Sequence, residues 1–210
     1  MIEIAASLLA ADPLRLGDEI QSVETLVSRL HLDVMDGHMV SNFALGTSAI
    51  QAIPDSWQRD IHLMVERPEV VAKWLQLRAG DTVYFHAKTV TNLLQFIEDL
   101  TTFGAVPGLV IDLDFDLDKN YEVLSQVDHF LVMGVKPGFS GQHMNESTVS
   151  RVKWLRDRLP QASIAVDGGV NDINAQFLVC AGANILVAGS YLFTAKDRKF
   201  AIQNLLSTNV

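Results

Sequence analysis

The stretch HLDVMDGH, residues 31–38, places imidazole and carboxylate groups at alternate positions of an apolar segment. Successive side chains of a β-strand point to opposite faces, so His31, Asp33 and Met35 share one face while Leu32 and Val34 share the other. The stretch therefore predicts a strand that ends with a histidine and a carboxylate on the same face.

Two further apolar segments deliver the same kinds of side chain. The segment IHLM, residues 61–64, puts His62 and Met64 on one face, and IAVDGG, residues 164–169, brings an acid to its end. Imidazole and carboxylate groups are ligands that divalent metals bind in proteins. The three segments together predict a metal site of two histidines and two aspartates: His31, Asp33, His62 and Asp167.

Composition limits the class of protein. The chain has 210 residues, of which 49% are hydrophobic and 20% are charged, and this predicts one compact domain spanning residues 1–210. A net charge of -9 argues against a nucleic-acid or anionic-membrane partner, although a small anion can still bind locally. Cys180 is the only cysteine, Glu3 stands where a signal peptide would be basic, and no apolar run has membrane-spanning length. We therefore expect a cytoplasmic protein.

Short apolar runs alternate with longer helical patterns along the whole chain. The predicted strands lie near residues 2–7, 31–35, 60–64, 82–86, 106–112, 129–135, 163–166 and 184–187. Eight such units predict an α/β fold, a single-domain (β/α)8 TIM barrel. An open doubly wound sheet is the alternative, but SLLAAD, residues 7–12, lacks the glycine-rich dinucleotide turn that its usual chemistry needs.

The predicted helices cover residues 13–29, 68–79, 93–103, 147–159 and 171–181. Pro68 fits a first helical turn. Gly80, Gly104 and Gly182 follow the last helical residues, where left-handed caps are expected.

In such a barrel, the carboxyl ends of the strands converge on one face. Ser7, His86 and Met133 would join the metal-site residues there. Methionines at strand ends are usually flexible core filler, but in this register Met35, Met64 and Met133 can form a soft wall around a reacting centre.

Glycines mark a second feature, at the ends of three consecutive strands. They occur in VKPGFSGQ, residues 135–142, in DGGV, residues 167–170, and in AGS, residues 188–190. Backbone N–H groups at these turns can form an anion cradle where barrels commonly bind phosphate.

These residues resemble the ribulose-phosphate 3-epimerases along essentially the whole chain. The resemblance rests on residues 7–12, 31–40, 62–65, 137–142, 167–170 and 187–190. It implies interconversion of D-ribulose 5-phosphate and D-xylulose 5-phosphate. It also implies one divalent ion on the two histidines and two aspartates. This donor set suits Zn²⁺, and Fe²⁺, Mn²⁺ or Co²⁺ are alternatives. The substrate-binding residues would be Ser7, Met35, Met64, Met133, Gly138, Phe139, Ser140, Gly141, Gly168, Gly169, Gly189 and Ser190.

Inversion of a carbon beside a carbonyl needs one group to remove a proton and another to return it on the opposite face. Asp33 and Asp167 come from different strands and suit these two roles, and either can begin as the base. The expected partner is a small sugar phosphate, and assembly into a homo-oligomer is left open.

The chain departs from the usual family pattern beside the predicted site. Gly134 stands where Ser or Thr is usual, Lys136 where Asn or an acid is usual, Lys88 for Glu, Asp112 for Asn and Ser41 for Pro. The predicted acid, base and metal ligands match the family pattern, whereas residues of the surrounding substrate wall differ. Two alternatives to the pentulose phosphate epimerase therefore stay open. One is a 3-epimerase of a ketohexose 6-phosphate such as allulose 6-phosphate, and the other is a sugar-phosphate-binding barrel without turnover. A phosphate-binding decarboxylase is disfavoured because residues 31–38 contain no lysine.

Overall fold

The computed structural model describes residues 2–207, which form a closed barrel of eight parallel strands in the order β1 to β8. The strands are β1 Glu3–Ser7, β2 Arg29–Met35, β3 Gln58–Met64, β4 Thr82–Phe85, β5 Val106–Ile111, β6 His129–Met133, β7 Ser163–Asp167 and β8 Ile185–Ala188. The predicted (β/α)8 fold is confirmed. The predicted domain bounds, 1–210, include Met1 and residues 208–210, which lie outside the described residues.

Helices alternate with the strands. They are α1 Leu16–Val23, α2 Thr47–Gln51, α3 Pro68–Trp74, α4 Leu93–Thr102, α5 Tyr121–Leu124, α6 Thr148–Arg158, α7 Ala175–Ala181, α8 Ser190–Phe193 and α9 Arg198–Leu206. Single 3₁₀ turns cover Leu8–Ala10, Pro13–Arg15 and Ala87–Thr89. Within residues 2–207, no helix has the length and apolar character needed to cross a membrane.

Two predicted helices are too long at their C-terminal ends. The helix predicted to reach Arg29 ends at Val23, because Arg29 is already paired with β1 and β3 as the first residue of β2. The helix that begins at Pro68 ends at Trp74, so Gly80, with φ +90°, lies in a later turn and not at a helix cap.

The other predicted caps are confirmed. Gly104, with φ +80°, follows the end of α4, and Gly182, with φ +113°, is the left-handed cap of α7. At the other end of α4, the Asn92 side chain accepts a hydrogen bond from the Gln95 N–H at 3.2 Å.

Alternation along the strands gives the barrel an outer and an inner face. Leu30, Leu32 and Val34 belong to the main apolar core between the sheet and the helices. Residues at the intervening positions point into the barrel, where a separate apolar cluster includes Tyr84 and Leu131. This alternation directs the polar residues of β2 toward the barrel axis.

Candidate active site

Four predicted metal ligands meet inside the barrel. One ligand atom from each of His31, Asp33, His62 and Asp167 can be chosen so that all four atoms lie within 4.8 Å of one another. His31 Nε2 lies 3.6 Å from Asp33 Oδ1 and 3.8 Å from Asp167 Oδ2. His62 Nδ1 lies 3.2 Å from Asp33 Oδ1, because Asp33 and His62 are register partners on β2 and β3.

These groups strongly perturb one another's protonation. Burial by itself would lower the pKa of His31, but the Asp33 and Asp167 carboxylates raise it to about 9. Burial opposes ionisation of Asp33 as well, yet His31 and His62 hold its pKa well below the usual range. The pKa of Asp167 is raised by burial and by the negative charge of Asp33, despite the two histidines. The two carboxylates are therefore pushed toward opposite protonation states.

The donor set fits a divalent cation. His31 is completely buried, and among residues 2–207 neither of its ring nitrogens has a hydrogen-bond partner within 3.5 Å, although Nε2 lies 3.6 and 3.8 Å from the Asp33 and Asp167 carboxylates. A buried polar atom without a partner is costly unless something else satisfies it. Two nitrogen and two oxygen ligands suit Zn²⁺ and the neighbouring divalent transition metals.

A cavity opens directly above Asp33 and Asp167, which form part of its lining. It is lined by all but one of the predicted substrate-binding residues: Ser7, Met64, Met133, Gly138, Phe139, Ser140, Gly141, Gly168, Gly169, Gly189 and Ser190. The remaining one, Met35, is buried at the end of β2 opposite Met64 in the strand register, outside the lining of this cavity as the structure describes it.

The glycine-rich turns form one side of the cavity. Gly168 and Gly169 have φ values of +101° and +73°, and a Cβ on either would press against Val135 or Met144. Only glycine fits this turn without strain. The loop after β6 is joined to the loop after β2, because Asn42 Nδ2 donates a 2.7 Å hydrogen bond to the Gly138 carbonyl.

Gly134 is explained by the close approach of β6 and β7. Its N–H donates to the Asp167 carbonyl at 2.6 Å, and a Cβ at this position would overlap the Gly168 carbonyl oxygen. Serine or threonine, the residues that the resemblance leads one to expect here, would therefore not fit between these strand ends without a shift of the backbone.

A hydrogen-bonded series lies behind the metal-ligand cluster. Its two histidines, His62 and His86, were predicted among the strand-end site residues, whereas Asp112 and Lys88 were not. His62 Nε2 lies 3.1 Å from His86 Nε2, and His86 Nδ1 lies 2.9 Å from Asp112 Oδ2. Lys88 Nζ donates to the same Asp112 oxygen at 2.7 Å. The sequence did contain a signal for this series. Lys88 and Asp112, which carry opposite charges, both depart from the expected family pattern and follow the neighbouring strands β4 and β5.

Comparison with known proteins assigns the family. Residues 3–193 match the model of the ribulose-phosphate 3 epimerase family. The chain belongs to the ribulose-phosphate 3-epimerase family. It is 35% identical to the ribulose-phosphate 3-epimerase of Helicobacter pylori over 210 residues, which cover 97% of this chain and 96% of that protein. The corresponding enzyme of Bacillus subtilis is 34% identical over 213 residues, covering 98% of each chain.

Membership in the ribulose-phosphate 3-epimerase family makes the protein an isomerase and confirms the resemblance found in the sequence. Among solved structures, 3-keto-L-gulonate-6-phosphate decarboxylase from Vibrio cholerae aligns with a TM-score of 0.74. That alignment covers 99% of this chain and 96% of the other at 9% identity, so the likeness concerns the fold alone.

Proposed function

We propose that this protein catalyses metal-dependent epimerisation at carbon 3 of a phosphorylated ketose, interconverting D-ribulose 5-phosphate and D-xylulose 5-phosphate. The observation that carries the proposal is that Asp33 and Asp167 reach one cavity from different strands beside two buried histidines. The names of the Helicobacter pylori and Bacillus subtilis relatives support the same reaction.

Two carboxylates can move the proton from one face of the sugar to the other. The group that starts ionised removes the proton from carbon 3 and leaves an enediolate, and the group that starts protonated returns a proton on the opposite face. The opposed pKa shifts of Asp33 and Asp167 match this division. In the reverse direction the two residues exchange roles.

The cation would be held by His31, Asp33, His62 and Asp167, with Zn²⁺ the favoured ion. When bound, it supplies Lewis-acid stabilisation of the negative charge that develops on the substrate oxygens. Met64 and Met133 line the same cavity, where their apolar side chains exclude water from the reacting carbon.

The phosphate would lie against the glycine-rich side of the cavity, at the Gly138–Gly141 loop, Gly168–Gly169 and Gly189–Ser190. Lys136 also lines the cavity and would add a positive charge at its rim. Two of the departures from the family pattern, Lys88 and Asp112, line a separate surface depression. Because neither residue lines the proposed substrate cavity, these two changes do not alter the wall that would contact the sugar. This favours the pentulose phosphate over a ketohexose phosphate.

Turnover of candidate sugars in D₂O tests the proposal. The Zn²⁺-loaded protein should convert D-ribulose 5-phosphate and place one deuterium at carbon 3 of the product, as measured by NMR. Allulose 6-phosphate and unphosphorylated D-ribulose are the comparison substrates, and both should react much more slowly. Preference for allulose 6-phosphate would favour the hexulose alternative. Binding of D-ribulose 5-phosphate without any deuterium incorporation would favour a non-catalytic barrel.

A further inference from the structure

In the hydrogen-bonded series behind the metal-ligand cluster, the donor and the acceptor of each hydrogen bond can be deduced from the chemistry of the groups. Its members are His62, His86, Asp112 and Lys88, on or just after β3, β4 and β5. Both histidines and Asp112 are at most 6% exposed. Each link between buried polar atoms must therefore pair a donor with an acceptor.

Only one proton can lie between the facing Nε2 atoms of His62 and His86. If neutral His86 donated that proton, its Nδ1 would turn a lone pair toward the Asp112 carboxylate only 2.9 Å away. Two acceptors at that distance repel each other. A neutral His86 therefore keeps its proton on Nδ1, donates to Asp112, and accepts from the Nε2–H of His62.

This arrangement matters because His62 has its other nitrogen, Nδ1, in the metal-ligand cluster. A neutral imidazole that carries its proton on Nε2 has a free lone pair on Nδ1, which is the form that binds a cation. The Asp33 carboxylate, 3.2 Å from Nδ1, favours the opposite form in which Nδ1 is protonated. Asp33 therefore favours the His62 tautomer protonated at Nδ1, and Asp112, through His86, favours the tautomer protonated at Nε2.

We propose that Asp112, held by Lys88, is a positioning residue that acts through His86 to keep the Nδ1 atom of His62 free for the cation. The inference rests on the proposed metal site. It gives a joint role to Lys88 and Asp112, since the Lys88 ammonium donates a 2.7 Å hydrogen bond to the Asp112 carboxylate. Burial raises the pKa of Asp112, but His86 and Lys88 together lower it to about 2, so the acceptor is ionised at neutral pH.

Metal affinity tests the role of Asp112. Zn²⁺ dissociation constants, measured by competition with a chromogenic chelator, should be about 10- to 100-fold higher for Asp112→Leu, which removes the acceptor, the range typical of partners that orient a metal ligand. Asp114→Leu is the matched control, because it makes the same change at an exposed position two residues away. Equal affinities for the two variants would overturn the proposal.

Two further variants test the route of the effect. In a His86→Phe background, Asp112→Leu should weaken Zn²⁺ binding no further, since the connection to His62 is already broken. Lys88→Met removes a side chain that is 57% exposed and should weaken binding less than Asp112→Leu does. Additive losses in the double variant, with the fold verified by circular dichroism, would show that Asp112 does not act through His86.

Nitrogen-15 NMR of the imidazole rings gives a readout independent of activity. In the metal-free protein His86 Nδ1 should carry a proton, and in the Zn²⁺-loaded protein His62 should also be protonated at Nε2. An unprotonated His86 Nδ1 would overturn the inference. Failure of the wild-type protein to bind Zn²⁺ would instead contradict the proposed function, and it would leave the His86 measurement interpretable.

Discussion

Gly134→Ala should destabilise the protein and slow its reaction, because the new methyl group has no room. An added Cβ would overlap the Gly168 carbonyl oxygen and lie 3.3 Å from the Asp167 carbonyl oxygen and 3.2 Å from Met144 Cε. Two of these three neighbours are backbone atoms that cannot turn aside. Overpacking of this kind costs about 1–3 kcal/mol. At about 2–4 °C per kcal/mol for a chain of this size, Tm should fall by about 2–12 °C.

The same substitution should also lower kcat, because the Gly134 N–H donates a 2.6 Å hydrogen bond to the backbone carbonyl of Asp167, the proposed acid or base. A displacement of about 1 Å can cost about 10²-fold in rate. Urea unfolding gives the free energy of unfolding, and kcat is measured with D-ribulose 5-phosphate. Gly17→Ala is the control, because its Cβ would meet no atom within 4 Å in α1 and should stabilise by about 0.5–1 kcal/mol. Wild-type unfolding free energy and kcat in Gly134→Ala would refute the steric argument.

Four other outcomes follow from the site. Removal of divalent metal by a chelator should abolish turnover, and added Zn²⁺ should restore it; full activity in protein shown by elemental analysis to be metal-free would contradict the metal site. Asp33→Asn and Asp167→Asn should each lower kcat by more than about 10⁴-fold, because each loses an acid or base and a metal ligand, and a near-normal rate in either would exclude the two-base scheme. Lys136→Gln should raise KM several-fold with a smaller change in kcat, since the lysine is exposed and its charge is screened; an unchanged KM would place it outside the phosphate contact. Because the raised pKa of His31 is about 9 in the folded protein, the stability it contributes is complete below about pH 6.5 and is lost as the pH rises through 9. The Tm of metal-free protein should therefore fall between pH 7 and 10 relative to a His31→Gln variant.

The barrel and the ligand cluster could be predicted because both depend on local pattern. Alternation along residues 31–35 already places His31 and Asp33 on one face, and the βα repeat brings the strand ends together. The limits of α1 could not be read this way, because Arg29 is drawn into β2 by pairing with two strands distant in the sequence. Likewise, the contact between His86 and Asp112 depends on how β4 and β5 sit side by side. The compartment and the state of assembly stay predictions.

The hydrogen bond from Asn42 to Gly138 crosses the mouth of the barrel. It fastens the segment that follows the Asp33 strand to the segment that follows the Met133 strand. Because this hydrogen bond already restricts the two segments in the folded protein, they lose fewer conformations when a ligand binds. Part of the entropic cost of ordering them is therefore met during folding. A ligand at this face therefore meets two rim segments that can part only if this hydrogen bond breaks.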